Sequence, residues 1–410
     1  MTLIKSFLLA SAAGIVAVAS AQAADLPTKK GAPAAEYVKI CKLTVAGAPF
    51  VGFTIPGSDT CLKLSGYVTA QFTVAGEAKS GQDLTGMYVR GNVAWDAVSN
   101  TAAGPLVAHI DLNANHGEGF DSATTVAGAN YAAALVDNAY LQWAGLTAGQ
   151  HGSFFDFIAG GPAWDDIISP DHTGTGTLLF AYTASLGGGF SATLSVEQPE
   201  SAVNTAITSY GQRSPDVVLN LTDAQGWGKV QVSGVAHEVY YSAPSTDTWG
   251  FAVLGGALFN FPGMAGSDLK LQGVYARDAV DYTGLTSPGS YNWSNGMSSG
   301  LPVTGLYDTT AAGNQSSGWS AAAVLDFQVN PELKISPEVS YGSVTYSNPA
   351  AAELKSLNDF VGGGTIAWTP VKALVFNLDL LYSNVNVQYA GSSSTNYDGF
   401  NAKLRIERDF

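Results

Sequence analysis

The sequence predicts an all-β chain: a transmembrane antiparallel β-barrel of about sixteen strands. Three observations carry this. Apolar and polar residues alternate at period two along most of the chain, charged residues make up only 12%, and the connections alternate between long and short. A soluble sandwich or propeller would turn a charged face to water, and these strands turn a thin face of Asn, Gln, Ser, Thr and Tyr. Strands of about 9–11 residues match a tilted crossing of a bilayer.

The chain opens on "MTLIKSFLLASAAGIVAVASAQAADLP". Lys5, the apolar run Phe7–Ala19 and Ala21-Gln22-Ala23 form the three regions of a cleaved export signal, with cleavage expected after Ala23. The run is shorter than the roughly 20 residues of a spanning helix, and no basic flank follows it. Residues 24–61 are assigned to a periplasmic N-terminal leader, Pro/Ala-rich and without periodicity over 24–36, and residues 62–410 to the barrel. No later stretch reaches the roughly 18 apolar residues of a transmembrane helix. A net charge of −15 argues against nucleic-acid partners, which need a basic footprint.

Cys41 and Cys61 are the two cysteines. In an exported chain an even pair predicts one disulfide, worth on the order of 3 kcal/mol through the unfolded state. Metal binding is the weaker alternative, because no Cys-x-x-Cys and no nearby His accompany them.

Alternation marks strands near 62–74, 86–97, 105–114, 136–144, 146–153, 177–186, 189–198, 215–223, 227–239, 248–261, 268–280, 317–329, 332–346, 358–369, 373–389 and 398–410. In "MYVRGNVAWD", Val89, Gly91, Val93 and Trp95 oppose Arg90, Asn92 and Asp96; in "LVAHIDLNA", Leu106, Ala108, Ile110 and Leu112 oppose His109, Asp111 and Asn113. The polar sets, with Asp96, His109 and Asp111, are expected on a water-filled lumen wall. Trp143, Trp227, Trp249, Trp319, Trp368, Tyr382 and Phe400 fall near strand ends, where interfacial aromatic girdles belong. Long connections such as "NHGEGFDSATTVAGANYAAA" and 281–316 face one end; short ones such as "SNTAAG" and "DAQG" face the other. The terminal "NAKLRIERDF" is itself a strand, with Phe400, Ala402, Leu404, Ile406 and Phe410 on one parity. A closed barrel needs it, since an open edge in lipid leaves backbone groups unsatisfied, and Phe410 is expected to serve closure; an expected role for Phe410 in assembly is what likeness to outer-membrane barrels implies, not what the period shows.

"EYVKIC", "FTIPGSDTCLKLSGYV", "NAYLQWAGLTAGQHGSFFDF", "LLFAYTASLGGGFSATLSVE", "SPDVVLNLTDAQGWGKVQVSGVAHEV", "WGFAVLGGALFNFPG" and the final Phe410 resemble the alphaproteobacterial porin family along nearly the whole mature chain. The resemblance implies a sixteen-stranded barrel assembled as a homotrimer in outer-membrane lipid and lipopolysaccharide. It also implies passive diffusion of small hydrophilic solutes and ions, and a third external loop folded into the lumen. Family members commonly line the wall of the second and third strands with several arginines; here only Arg90 remains.

The loop at the family's constriction position is "FFDFIAGGPAWDDIISPDHTGTG". It carries Asp156, Asp165, Asp166 and Asp171 beside Phe154, Phe155, Phe157 and Trp164. A loop folded into a pore needs both kinds, rings to dock and carboxylates to face water. The alternative is an acidic loop solvated outside the barrel. With Arg90 placed on the opposite wall, the acids outnumber the base and predict weak cation selectivity. Lys63, Lys229, Lys403 and Arg405 share lumen parity and would oppose it. No enzyme motif is present: five scattered histidines accompany no Gly-x-Ser-x-Gly and no His-Glu-x-x-His, and no cofactor is expected. An outer-membrane hydrolase, or a closed barrel serving as adhesin or anchor, is the alternative.

Overall fold

The computed structural model describes residues 39–75, 85–118, 133–158, 167–168, 176–199, 213–240, 247–285, 306–308 and 314–410. The leader before residue 39 lies outside them. Two short strands come first, β1 (Ile40–Val45) and β2 (Ala48–Thr54). Then follow β3 (Cys61–Ala75), β4 (Thr85–Thr101), β5 (Gly104–Glu118), β6 (Ala133–Trp143), β7 (Leu146–His151), β8 (Thr177–Gly187), β9 (Phe190–Glu197) and β10 (Asp216–Gln225). The second half holds β11 (Gly228–Tyr240), β12 (Asp247–Asn260), β13 (Asp268–Arg277), β14 (Ser316–Asn330), β15 (Leu333–Tyr346), β16 (Leu354–Val371), β17 (Leu374–Tyr389) and β18 (Thr395–Asp409).

From β3 onward each strand pairs antiparallel with the next, and β18 pairs with β3 from Asn401↔Ala75 to Asp409↔Tyr67. The sixteen strands β3–β18 therefore close on themselves, leaving no open edge to lipid over the paired registers. Short turns such as Ala144-Gly145 and Gly226 alternate with long connections, as the loop lengths predict. The sixteen expected strands are the sixteen observed, with ends that differ by a few residues. β13 stops at Arg277 rather than running to 280, because Asp278 takes a φ of 52° and a short 3-10 turn, Val280–Thr283, begins.

The alternation sorts the two faces. Leu64, Val68, Phe180, Leu219, Val232, Trp249 and Tyr275 are exposed on the isolated chain, with Phe180 at 70%, whereas Thr69, Gln71, Asn92, Asn113, Asn220 and Gln231 are buried on the opposite parity. The exposed apolar set faces lipid; the polar set faces the lumen. All seven girdle aromatics expected from sequence are exposed on the outer face, and Phe251–Tyr275, Trp319–Tyr341, Phe360–Tyr382 and Trp368–Phe376 form ring pairs along it.

The sequence pattern does not mark β1 and β2, because β1 spans only six residues and Pro49 and Gly52 interrupt β2. They form a hairpin whose ladder pairing with β3 is Phe53↔Leu62 and Thr54↔Cys61. Gly52 lies so close to β3 that a Cβ there would sit 2.3 Å from the Leu62 carbonyl oxygen. This approach brings Cys41 to Cys61, and the two are disulfide-bonded with Cα atoms 5.9 Å apart. Alkylation of unreduced native protein should therefore find no free thiol. Two reactive thiols would mean that the hairpin is not fastened to β3.

Candidate pore and constriction

The inner wall is divided. Along β10–β13 it carries an apolar patch, Val218, Val235, Ala252, Leu254, Val274 and Ala276, buried and sharing inward parity with the polar Asn220, Gln231 and Gln272. On this patch sits Phe155, fully buried, with Phe154 and Phe157 packed beside it. Burying one such ring is worth roughly 2–3 kcal/mol.

The loop after β7 is seated by hydrogen bonds as well. Its backbone oxygens accept from wall amides: Asn220 Nδ2 donates to Phe154 O at 2.8 Å, and Gln231 Nε2 to Asp156 O at 2.8 Å. Its backbone amides donate in turn, Ile158 N to Gln272 Oε1 and Ile168 N to Ser340 Oγ, each at 2.9 Å. At the loop's base Glu197 accepts from Ser153 Oγ and Phe154 N. Every one of these wall residues has lumen parity, so the described part of the loop, 152–158 and 167–168, lies against the inner face. Gly256 on β12 makes the seat: a Cβ there would lie 2.3 Å from Phe157 Cγ. Lys229 Nζ lies over the same ring, 5.0 Å from its centre.

Across the lumen, β3–β7 carry polar and ring side chains. Arg90 Nε donates to Tyr88 Oη at 2.7 Å and to Asn115 Oδ1 at 2.9 Å, and Tyr67 also bonds Arg90. Asn92 Nδ2 donates to Asn113 Oδ1 and to Asp111. His109 Nδ1 lies 2.7 Å from Asp96, and its ring begins a ladder: His109 on Tyr140, Tyr140 edge-on to His151, His151 stacked on Phe154. The ladder ends on Phe154 of the loop after β7 and ties that end of the loop to the polar wall.

Asp156 is half-buried on the described loop; Asp165, Asp166 and Asp171 lie outside the described residues. Arg90, Asp96, His109 and Asp111 share lumen parity on β4 and β5. Of the opposing bases, Lys403 and Arg405 are buried on β18 beside Asp379, Lys229 is held at Phe157, and Lys63 is opposite Asp96 in register. Sequence reasoning missed Asp137. A bulge shifts the β5–β6 register there, pairing Asp111 with Asn138 and Leu112 with Val136, and places the extra residue, Asp137, near Asp111, Asn113 and Arg90. The signal was present in "VDNAY", where two polar residues in succession break period two.

A closed sixteen-stranded barrel with a lipid-facing apolar exterior, a polar lumen wall and a loop seated inside defines an outer-membrane channel protein. Residues 25–405 match the family described as Porin subfamily, and the chain belongs to that family. Porin Omp2b of Brucella suis is 29% identical over 384 residues, covering 88% of this chain and 97% of its own; Porin Omp2a of Brucella melitensis biotype 1 is 30% identical over 356 residues, covering 82% and 92%. Among solved structures, the outer membrane channel DcaP of Acinetobacter baumannii superposes with a TM-score of 0.65 at 15% identity over 88% of this chain and 99% of its own. OmpF of Salmonella typhi, in complex with daunomycin, superposes with a TM-score of 0.53 at 13% identity, over 86% of this chain and 98% of its own. These likenesses extend the barrel fold to this chain.

Proposed function

We propose that the chain is a general diffusion porin: a water-filled, weakly cation-selective pore for small hydrophilic solutes and ions. The observation that supports it is the divided lumen, one wall with an apolar patch covered by the loop after β7, the other polar. Water and solutes pass between them. The constriction then comprises Asp156, Asp165, Asp166 and Asp171 facing Arg90, with Asp96, His109, Asp111 and Asp137 on the adjoining wall. Carboxylates outnumber bases there, and facing charges in a narrow low-dielectric passage are only partly screened over the roughly 8 Å Debye length. Lys229 at Phe157 weakens the bias without reversing it.

The pore is expected to assemble as a homotrimer in outer-membrane lipid and lipopolysaccharide after removal of residues 1–23.

Purified protein in a planar bilayer tests the reading. Stepwise ohmic conductance is expected, with a reversal potential in a salt gradient that marks a modest preference for cations. Replacing Asp156, Asp165 and Asp166 together with Asn should bring the permeability ratio toward one without changing barrel stability. A reversal potential that does not move would remove the loop carboxylates from the pore. Absence of conductance in protein that retains hydrolase turnover would favour the enzyme alternative.

A further inference from the structure

The connection between β13 and β14 is long, and its described ends are buried. Val280 and Leu285 are fully buried and Leu306 nearly so, in one cluster with Val344, Leu357, Val361, Leu381, Val385 and Ile168. The partners on β15–β17 all have inward parity, opposite to Tyr341, Phe360, Leu380 and Tyr382 on the lipid face. Ile168 belongs to the constriction loop. Both loops therefore meet inside the barrel.

The wall is shaped for this second loop. A Cβ on Gly342 would lie 2.8 Å from Leu285 Cδ1, and one on Gly318 would lie 3.1 Å from Thr283 Cγ2. Ser320 Oγ donates to Thr283 O at 2.6 Å, and Tyr307 N to Tyr346 Oη at 2.9 Å. Any side chain at 342 would have to share the space that Leu285 fills.

An ion triad fastens the loop ends. His237 on β11 turns Nδ1 toward Asp216 of β10 at 2.9 Å and Nε2 toward Asp308 of the loop at 3.4 Å, and all three are buried. Both ring nitrogens donate only in the imidazolium form, so the geometry calls for a cation between two carboxylates. Asp308 Oδ1 also accepts from Val280 N at 2.8 Å, and Ser316 Oγ donates to Asp308 O at 2.5 Å. Tyr282 Oη donates to the other carboxylate, Asp216, at 2.5 Å, and its ring meets Phe155 edge-on at 4.9 Å. Burial and the Asp216 charge push the Tyr282 phenol well above its usual range, so it stays a donor. The triad thus joins β10, β11, the second loop and, through Tyr282, the constriction loop.

We propose that the described ends of the β13–β14 loop, residues 278–285 and 306–308, form a second size-selecting element of the pore, held on the inner wall by the Asp216–His237–Asp308 triad and the Gly342 seat. Asp308 and His237 are positioning residues: they act through the loop they hold and need not touch the solute. The proposal rests on the pore reading above, and its test separates the two.

His237→Gln removes the cation between the carboxylates; Gly342→Leu leaves the triad intact and displaces Leu285. Each is purified as a heat-modifiable barrel, and single-channel conductance and liposome swelling with sugars of graded size are measured beside the wild type. Both variants should raise conductance by on the order of twofold and admit sugars that the wild type excludes. Variants that fold with wild-type conductance and cut-off would overturn the second element while leaving the pore standing. A wild type with no conductance would instead overturn the pore reading and this inference with it. Should His237→Gln fail to form a barrel, Gly342→Leu decides, and Leu306→Ala, a milder change in the same cluster, supplies the second reading.

Discussion

Deletion of Phe410 should lower the yield of heat-modifiable barrel by on the order of tenfold while leaving export intact, because the residue closes the seam with its main chain as well as its ring. Phe410 N donates to Gly66 O at 2.9 Å and Gly66 N donates to Phe410 O at 3.2 Å, the last rungs between the two ends of the barrel. The ring lies over Gly66, where a Cβ would sit 2.8 Å from its Cζ. It is 60% exposed on the lipid-facing parity of Leu404 and Ile406. Each unsatisfied backbone group at a membrane edge costs several kcal/mol, so losing both rungs is severe even though one residue is removed. Phe410→Ala separates the contributions: it keeps the rungs and loses the ring. A deletion that still gives normal heat-modifiable barrel would show that the seam closes without its terminal residue.

The barrel was legible because lipid and water impose opposite demands on successive residues. Period two therefore marks every wall strand from β3 to β18, and girdle rings such as Trp249 and Trp319 confirm which parity faces out. Arg90, Asp96, His109 and Asp111 could be assigned to the inner face for the same reason. Three features were not legible. The β1–β2 hairpin is too short to establish a period, and its position depends on a disulfide and on one close approach at Gly52. Asp137 sits at a bulge, where the one-residue insertion defeats the parity rule that found its neighbours. The second inward loop was hidden because inward apolar residues such as Val344, Val361 and Leu381 read as ordinary strand content. Only the fold shows that they lie on the lumen side and need a cover.

Releasing the loop after β7 should have the larger effect on transport. Phe155→Ala removes a fully buried ring from the Val218, Val235, Ala252 and Leu254 patch, a change that costs about 3–5 kcal/mol of packing in ordinary cores. Gly256→Leu attacks the same seat from the wall, since a side chain there enters the space of the Phe157 ring. Neither change touches a rung of the strand ladder, so the barrel should still form. The polar anchors that remain near Phe155 include Asn220 and Gln231 donating to loop carbonyls and Gln272 accepting from Ile158 N, each worth roughly 0.5–1.5 kcal/mol net, so they tether the loop without replacing the lost packing. Conductance is therefore expected to rise by on the order of twofold or more, with increased open-channel noise and a loss of whatever ion preference the loop carboxylates confer. Combining Phe155→Ala with Gly256→Leu should add little to either alone, because the two neighbouring rings hold the same segment of the loop and their effects are coupled. Wild-type conductance, noise and reversal potential in both single variants would mean that the loop does not line the passage that ions take, and that the narrowest part of the pore lies elsewhere along the wall.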